Sequence, residues 1–144
     1  MEMKPVIHFE MPAIDKERMV RFYTQVFGWQ TQQLGPEMGN FILVTTTESD
    51  ENGPKTPGEI NGGFYQKNDN DSSQTTTVTI QVDDIEEYIR KVRAAGGKIS
   101  GEIMDTPGLG FFASFFDPEG NRVNMLQPAN DKTKMGDNPE SSSN

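Results

Sequence analysis

The sequence predicts an α+β fold made of two βαβββ modules, the first over residues 4–66 and the second over 75–128. Three observations predict it. Two alternating strands, Lys4 to Met11 and Thr75 to Val82, each lead into a stretch with helical spacing of apolar residues. Each helix opens on an aspartate, Asp15 or Asp84, and stops at glycine, Gly28 or Gly96–Gly97. After each helix come short β-branched or alternating runs divided by Gly/Pro turns, and a polar linker, KNDNDSSQ over 67–74, separates the two sets.

In the first strand His8 and Glu10 point to one side, Phe9 and Met11 to the other. Pro12, which has no N–H for a ladder, is expected to end it. Met19, Phe22, Tyr23, Val26 and Phe27 recur at three- and four-residue spacing and form the apolar face of the first helix. Trp29 to Leu34 alternates as a second strand, Gly35–Pro36 and Gly39–Asn40 mark a turn, and Phe41 to Thr46 is a β-branched third strand. Thr47 to Gly58, with its acids, Gly53, Pro54 and Pro57, reads as a long exposed loop. Glu59 to Gln66 is a fourth strand whose Gly62–Gly63 leaves room for close approach.

In the second module Thr77, Thr79 and Gln81 alternate against Val78, Ile80 and Val82. Ile85, Tyr88, Ile89 and Val92 form the helix's apolar face. Lys98 to Met104, Phe111 to Phe116 and Arg122 to Gln127 follow as strands, the last two joined by the turn Asp117-Pro-Glu-Gly-Asn121. Alternation sends Ile7, Phe9, Val78, Ile80, Val123 and Met125 under the helices, and His8, Glu10, Thr77, Thr79 and Asn124 to the opposite side. Residues 129–144 have no apolar pattern and are expected to be a disordered tail.

The 144 residues suffice for one ordinary domain with a core. A formal charge of −9 and a pI near 4.5 argue against nucleic acid or an anionic membrane as partner, since both require basic surface. Without cysteine there is no disulfide framework and no thiol chemistry. No apolar run reaches the roughly 20 residues of a membrane helix. The first ten residues hold no signal core, so a soluble cytoplasmic protein is the expectation.

Four pieces taken together resemble the vicinal oxygen chelate superfamily of glyoxalase I, bleomycin resistance proteins and extradiol dioxygenases. They are His8 to Pro12; Phe22-Tyr23 with Val26-Phe27-Gly28-Trp29; Val82-Asp83-Asp84 leading to Ala95-Gly96-Gly97; and Phe116-Asp117-Pro118-Glu119-Gly120-Asn121. They occur in the family's order and spacing. The resemblance implies two modules whose sheets curl into a half-barrel around one cavity, with the helices packed outside. It also implies a small-molecule ligand and, frequently, a homodimer.

Metal-using members of that family take four ligands from four strands. Carried over, the positions fall on His8, on Thr77, near Asn61 to Gly63, and on Asn124. A divalent ion such as Zn²⁺ needs three or four good donors. Thr is a poor one, and Asn124 offers only a neutral carbonyl oxygen. No cofactor is therefore expected; Zn²⁺, Ni²⁺ or Fe²⁺ is disfavoured, with His8 the one inherited metal ligand and a relocated site on His8, Glu10 and Glu59 the alternative.

His8 and Glu10 are the candidate catalytic residues, because a polar pair on the face opposite the helix needs either solvent or a wet cavity. His8 has the only side chain whose unperturbed pKa lies near neutrality. Thr77, Thr79, Asn124, Phe64, Phe112 and Ser114 form the candidate ligand-binding set. The plainer alternatives are a hydrogen-bonded His8, a Glu10 paired with a basic group, aromatic residues that are core, and a solvated threonine face. Three functions fit: a metal-free binder of a small, partly apolar molecule; a lyase, isomerase or dioxygenase using His8 and Glu10; and an interaction protein that dimerises. Fold analogy alone does not choose the ligand.

Overall fold

A computed structural model describes residues 2–129, so all but the first residue of the expected tail lies outside the described residues. The chain is α+β and divides into two compact units. One is Ile7–Val78; the other joins the leading residues up to Val6 with the chain from Thr79 onward. Local bonds explain why the leading residues go with the later unit. The Gln81 N–H donates to the Pro5 carbonyl at 2.9 Å. Lys4 Nζ lies 3.4 Å from Asp83 Oδ1 and stands 5.8 Å over the Tyr88 ring.

The first module runs β1 (Val6–Ala13), α1 (Lys16–Phe27), β2 (Gln30–Gln33), a 3₁₀ turn (Pro36–Met38), β3 (Ile42–Thr45), β4 (Ser49–Asp50), β5 (Gly53–Pro54) and β6 (Asn61–Gln66). Its sheet order is β2-β3-β6-β1, with β1 and β6 parallel and the other pairs antiparallel. β4 and β5 form a small hairpin inside the segment expected to be loop. Pro12 does not end β1, which continues to Ala13 and pairs Pro12 with Tyr65. The Lys67 N–H donates to the Ala13 carbonyl, so Ala13 turns its polar groups toward β6. Its neighbour Pro12 turns its missing donor away from β6, where no bond of that ladder is lost.

Asp15 caps α1 by accepting from the Arg18 N–H at 3.1 Å, and Gly28 closes it at φ 73°. The helix buries Met19, Val20 and Tyr23 partly against Ile42, Val44 and Phe64, with Phe9, Met11 and Trp29 beside them. Tyr23 stacks on Trp29, ring centroids 4.6 Å apart. The expected apolar face is corrected in part. Phe22, Val26 and Phe27 are more than half exposed, because the buried stripe passes through Val20 and Tyr23 rather than through them.

The second module runs β7 (Thr77–Gln81), α2 (Ile85–Ala94), β8 (Lys98–Thr106), β9 (Gly110–Phe116) and β10 (Arg122–Pro128). Its strands lie in the order β7-β10-β9-β8, again with the first and last parallel. Its core joins Val82, Ile85, Ile89, Ala113 and Met125, with Ile80, Tyr88, Phe111 and Phe115 around them. Asp84 caps α2 by accepting from the Glu87 N–H at 3.2 Å. Val78, expected in the core, is exposed, while Ile7 and Val123 are half-buried. Among the described residues no helix is long and apolar enough to cross a membrane.

Candidate functional site

The ladder between β1 and β6 fixes the polar face of the first unit. Phe9 pairs with Gly62 and Met11 with Phe64, and these residues pack toward α1. His8 pairs with Asn61 and Glu10 with Gly63, so those four share the other face. His8 is half-buried, and burial pushes its imidazole below the ordinary value of 6.5. At neutral pH it is uncharged, with one ring nitrogen that donates and one that accepts. Thr77, on the first strand of the second module, is buried.

Asn61, beside His8 in the ladder, clamps the base of the β4–β5 hairpin. Its Oδ1 accepts from the Thr46 N–H at 2.8 Å, and its Nδ2 donates to Ser49 Oγ at 2.9 Å. The sequence marked that position only as a ligand site lacking a carboxylate. A single Asn directly before Gly62–Gly63 offers no signal for a clamp.

In the second unit Thr79, Asn124 and Ser114 form a row across β7, β10 and β9. They occupy the face opposite Ile80, Met125 and Ala113, which pack under α2. The row is not wet. Thr79 is 0%, Asn124 3% and Ser114 8% exposed, and Ser114 Oγ donates to Asn124 Oδ1 at 2.8 Å. Phe112 is half-buried on the same face, opposite Leu126. Phe64 lies on the other kind of surface: its register with Met11 turns it toward α1, where it is fully buried 5.6 Å from the Tyr23 ring centroid.

The inherited metal positions do not fit a divalent ion. Asn61 spends its amide on Thr46 and Ser49, and Asn124 spends its carbonyl oxygen on Ser114. Thr77 supplies a neutral hydroxyl, which leaves His8 as the one strong donor of the set. Glu59, the third member of the relocated site, is exposed and accepts from the Thr47 hydroxyl. Among the described residues no three His, Cys, Asp or Glu side chains come together as a metal group would require.

Gln127 is a residue the sequence pattern passed over as a strand end. It is buried on the helix side of β10, and its Oε1 accepts from the Ile85 N–H at 3.0 Å. It thereby satisfies one of the orphan donors at the start of α2.

Comparison with known proteins agrees with this architecture. A model of the Glyoxalase/Bleomycin resistance protein/Dioxygenase superfamily matches residues 6–125. A glyoxylase-like domain-containing protein of Didymella fabae is 32% identical over 115 residues, covering 78% of this chain and 84% of its own. A methylmalonyl-CoA epimerase of Streptomyces coelicolor, in complex with 2-nitronate-propionyl-CoA, has a similar fold. Its TM-score is 0.64 at 13% identity, over 89% of this chain and 96% of that one. A hypothetical protein of Bacillus halodurans C-125 gives a TM-score of 0.62 at 13% identity, over 87% and 94%.

Proposed function

Because the chain belongs to the glyoxalase/bleomycin resistance protein/dioxygenase superfamily, we propose that it binds a small, partly apolar molecule, without the family's full metal site, against the His8–Glu10 face of its first module. The observation that carries this reading is a half-buried, neutral imidazole two residues from a carboxylate on the sheet face opposite the helix. Such a pair offers a ligand one N–H donor and several acceptors in a partly dehydrated setting, where each hydrogen bond is worth more than in water. Thr77 lies on the strand that opens the second module and belongs to the same proposal. Ser114 and Asn124 are hydrogen-bonded to each other beside Thr79, and Phe112 and Leu126 are apolar side chains on that face. The proposal includes a cytoplasmic location and a homodimer, the latter to be read from sedimentation equilibrium.

The test is a ligand-observed NMR screen of a small-molecule library against the wild type, His8→Gln and Glu10→Gln. Hits that weaken in both variants support the reading; hits that bind all three proteins alike overturn it.

A second reading is favoured by the neutral imidazole: proton transfer at an acidic C–H, with His8 or Glu10 as the base. A structurally similar epimerase is known in complex with methylmalonyl-CoA; because the charge of this chain disfavours so anionic an ester, an uncharged acyl thioester with an acidic C–H is the first substrate to try. Deuterium entering it from D₂O with the wild type but not with Glu10→Gln would move the chain into the enzyme class. No incorporation above the uncatalysed rate would leave the binder.

A further inference from the structure

Gly62 and Gly63 are each covered by an aromatic ring, on opposite faces of β6. A Cβ on Gly62 would meet the Phe9 ring, with Cγ at 2.7 Å, on the helix side. A Cβ on Gly63 would collide with Cζ and Cε2 of Phe41. Gly63 pairs with Glu10 on one side and with Leu43 on the other, so the Phe41 ring covers the strand on the face that holds His8 and Glu10. Phe41 and Leu43 are both half-buried, and neither belongs to the apolar cluster under α1. Two apolar side chains therefore stand apart from the core beside a polar pair, and one of them reaches that place only because residue 63 has no side chain.

We propose that Phe41 is the specificity-determining residue of the His8–Glu10 face, and that it selects a flat, uncharged aromatic ring bearing a hydrogen-bond donor. The inference rests on the reading of that face as a binding site. The ring of such a ligand packs against Phe41, and its hydroxyl or N–H donates to the Glu10 carboxylate or the acceptor nitrogen of His8. An anion is the wrong charge, both beside Glu10 and in a chain of formal charge −9.

The experiment is a titration of 2-naphthol into the full chain, followed by naphthol fluorescence and by the naphthyl proton shifts, with 2-naphthoate as the anionic comparison. Wild type should bind 2-naphthol more tightly than 2-naphthoate. Phe41→Ala should weaken 2-naphthol about tenfold, since both ring contact and apolar area are lost. If Phe41→Ala does not fold, Phe41→Leu decides: it keeps apolar bulk, so binding should fall less, but the upfield ring-current shift of the naphthyl protons should disappear. No binding by the wild type at millimolar 2-naphthol overturns the inference, as does unchanged affinity and unchanged shifts in Phe41→Leu. The underlying reading fails differently. In that case the Phe41 variants weaken binding while His8→Gln and Glu10→Gln do not.

Discussion

Asn124 and Met125 are neighbours on β10 and point to opposite faces, yet they are equally buried, at 3% and 2% exposure. Met125 lies in the core under α2, so Met125→Ala should cost about 2–5 kcal/mol through lost burial and the void left behind. For Asn124→Ala a wet pocket would predict about 1 kcal/mol or less, because water replaces the lost bond. The buried row predicts more. Ser114 would keep a hydroxyl whose partner is gone, and about 1–3 kcal/mol should be lost. Urea unfolding of both variants checks this, and a cost for Asn124→Ala indistinguishable from zero would show that water reaches the row. His8 gives a second prediction at this scale. Its folded pKa is lowered, so above 6.5 it is neutral in both states and its contribution is complete. As pH falls through 6.5 the unfolded chain takes a proton first, and stability declines until the pH passes the lower folded value. His8→Gln should remove that decline from the wild-type curve. The chain has one histidine, so its ring proton resonances should report the lowered midpoint directly. A midpoint at or above 6.5 would contradict the burial.

Two groups of different legibility fix the N-terminus of α2. Asp84 is the cap that the sequence announces, an aspartate directly before an apolar-periodic run. Gln127 is 42 positions away along the chain and carries no local signal, since only the fold brings it to the Ile85 N–H. The two should also differ in energy. Asp84→Ala exposes donors that water can reach and should cost about 1 kcal/mol. Gln127→Ala leaves a buried N–H without its acceptor and should cost about 1–3 kcal/mol, the larger loss of the two. Thermal melts of the two variants rank them, and equal costs would mean that water replaces Gln127. The same division runs through the rest of the fold. Helix starts, caps and the Asp117–Asn121 turn are local chemistry and were readable: Asp117 accepts from the backbone N–H and side-chain amide of Asn121 and from the Glu119 N–H, and these bonds, those from Asn121 above all, hold its carboxyl below the usual range. Which part of a helical apolar stripe is buried is not local. Phe22 and Val26 have the right spacing in α1, but the stripe that meets the sheet passes through Met19, Val20 and Tyr23 instead. For the candidate site, alternation identified the His8–Glu10 face. It could not show that Phe64 shares register with Met11 or that Asn61 holds a hairpin.

At the scale of the whole molecule, the family's architecture is present, and the positions that the resemblance implies for the family's metal carry mostly weak donors. Glyoxalase I chemistry relies on a metal that polarises the substrate oxygens together with a carboxylate base. The resemblance places the family's ligand positions on His8, Thr77, Asn124 and the Asn61–Gly63 segment, of which His8 alone is a strong donor. The asparagines are occupied: Asn61 with Thr46 and Ser49, Asn124 with Ser114. A metal would have to break those bonds and accept neutral oxygens in return, whereas tight sites use deprotonated or imidazole donors. Raising the metal concentration does not supply missing donors, and changing Zn²⁺ for Ni²⁺ does not either. The purified protein should therefore show no turnover of methylglyoxal hemithioacetal above background, with or without added Ni²⁺ or Zn²⁺. Restoring one donor, by Asn124→Glu, should leave that rate at background as well, because Thr77 and Asn61 remain poor ligands. The assay is the absorbance of the thioester product. Metal-dependent turnover by the wild type that disappears in His8→Gln would show that a working site assembles from groups other than those at the inherited positions.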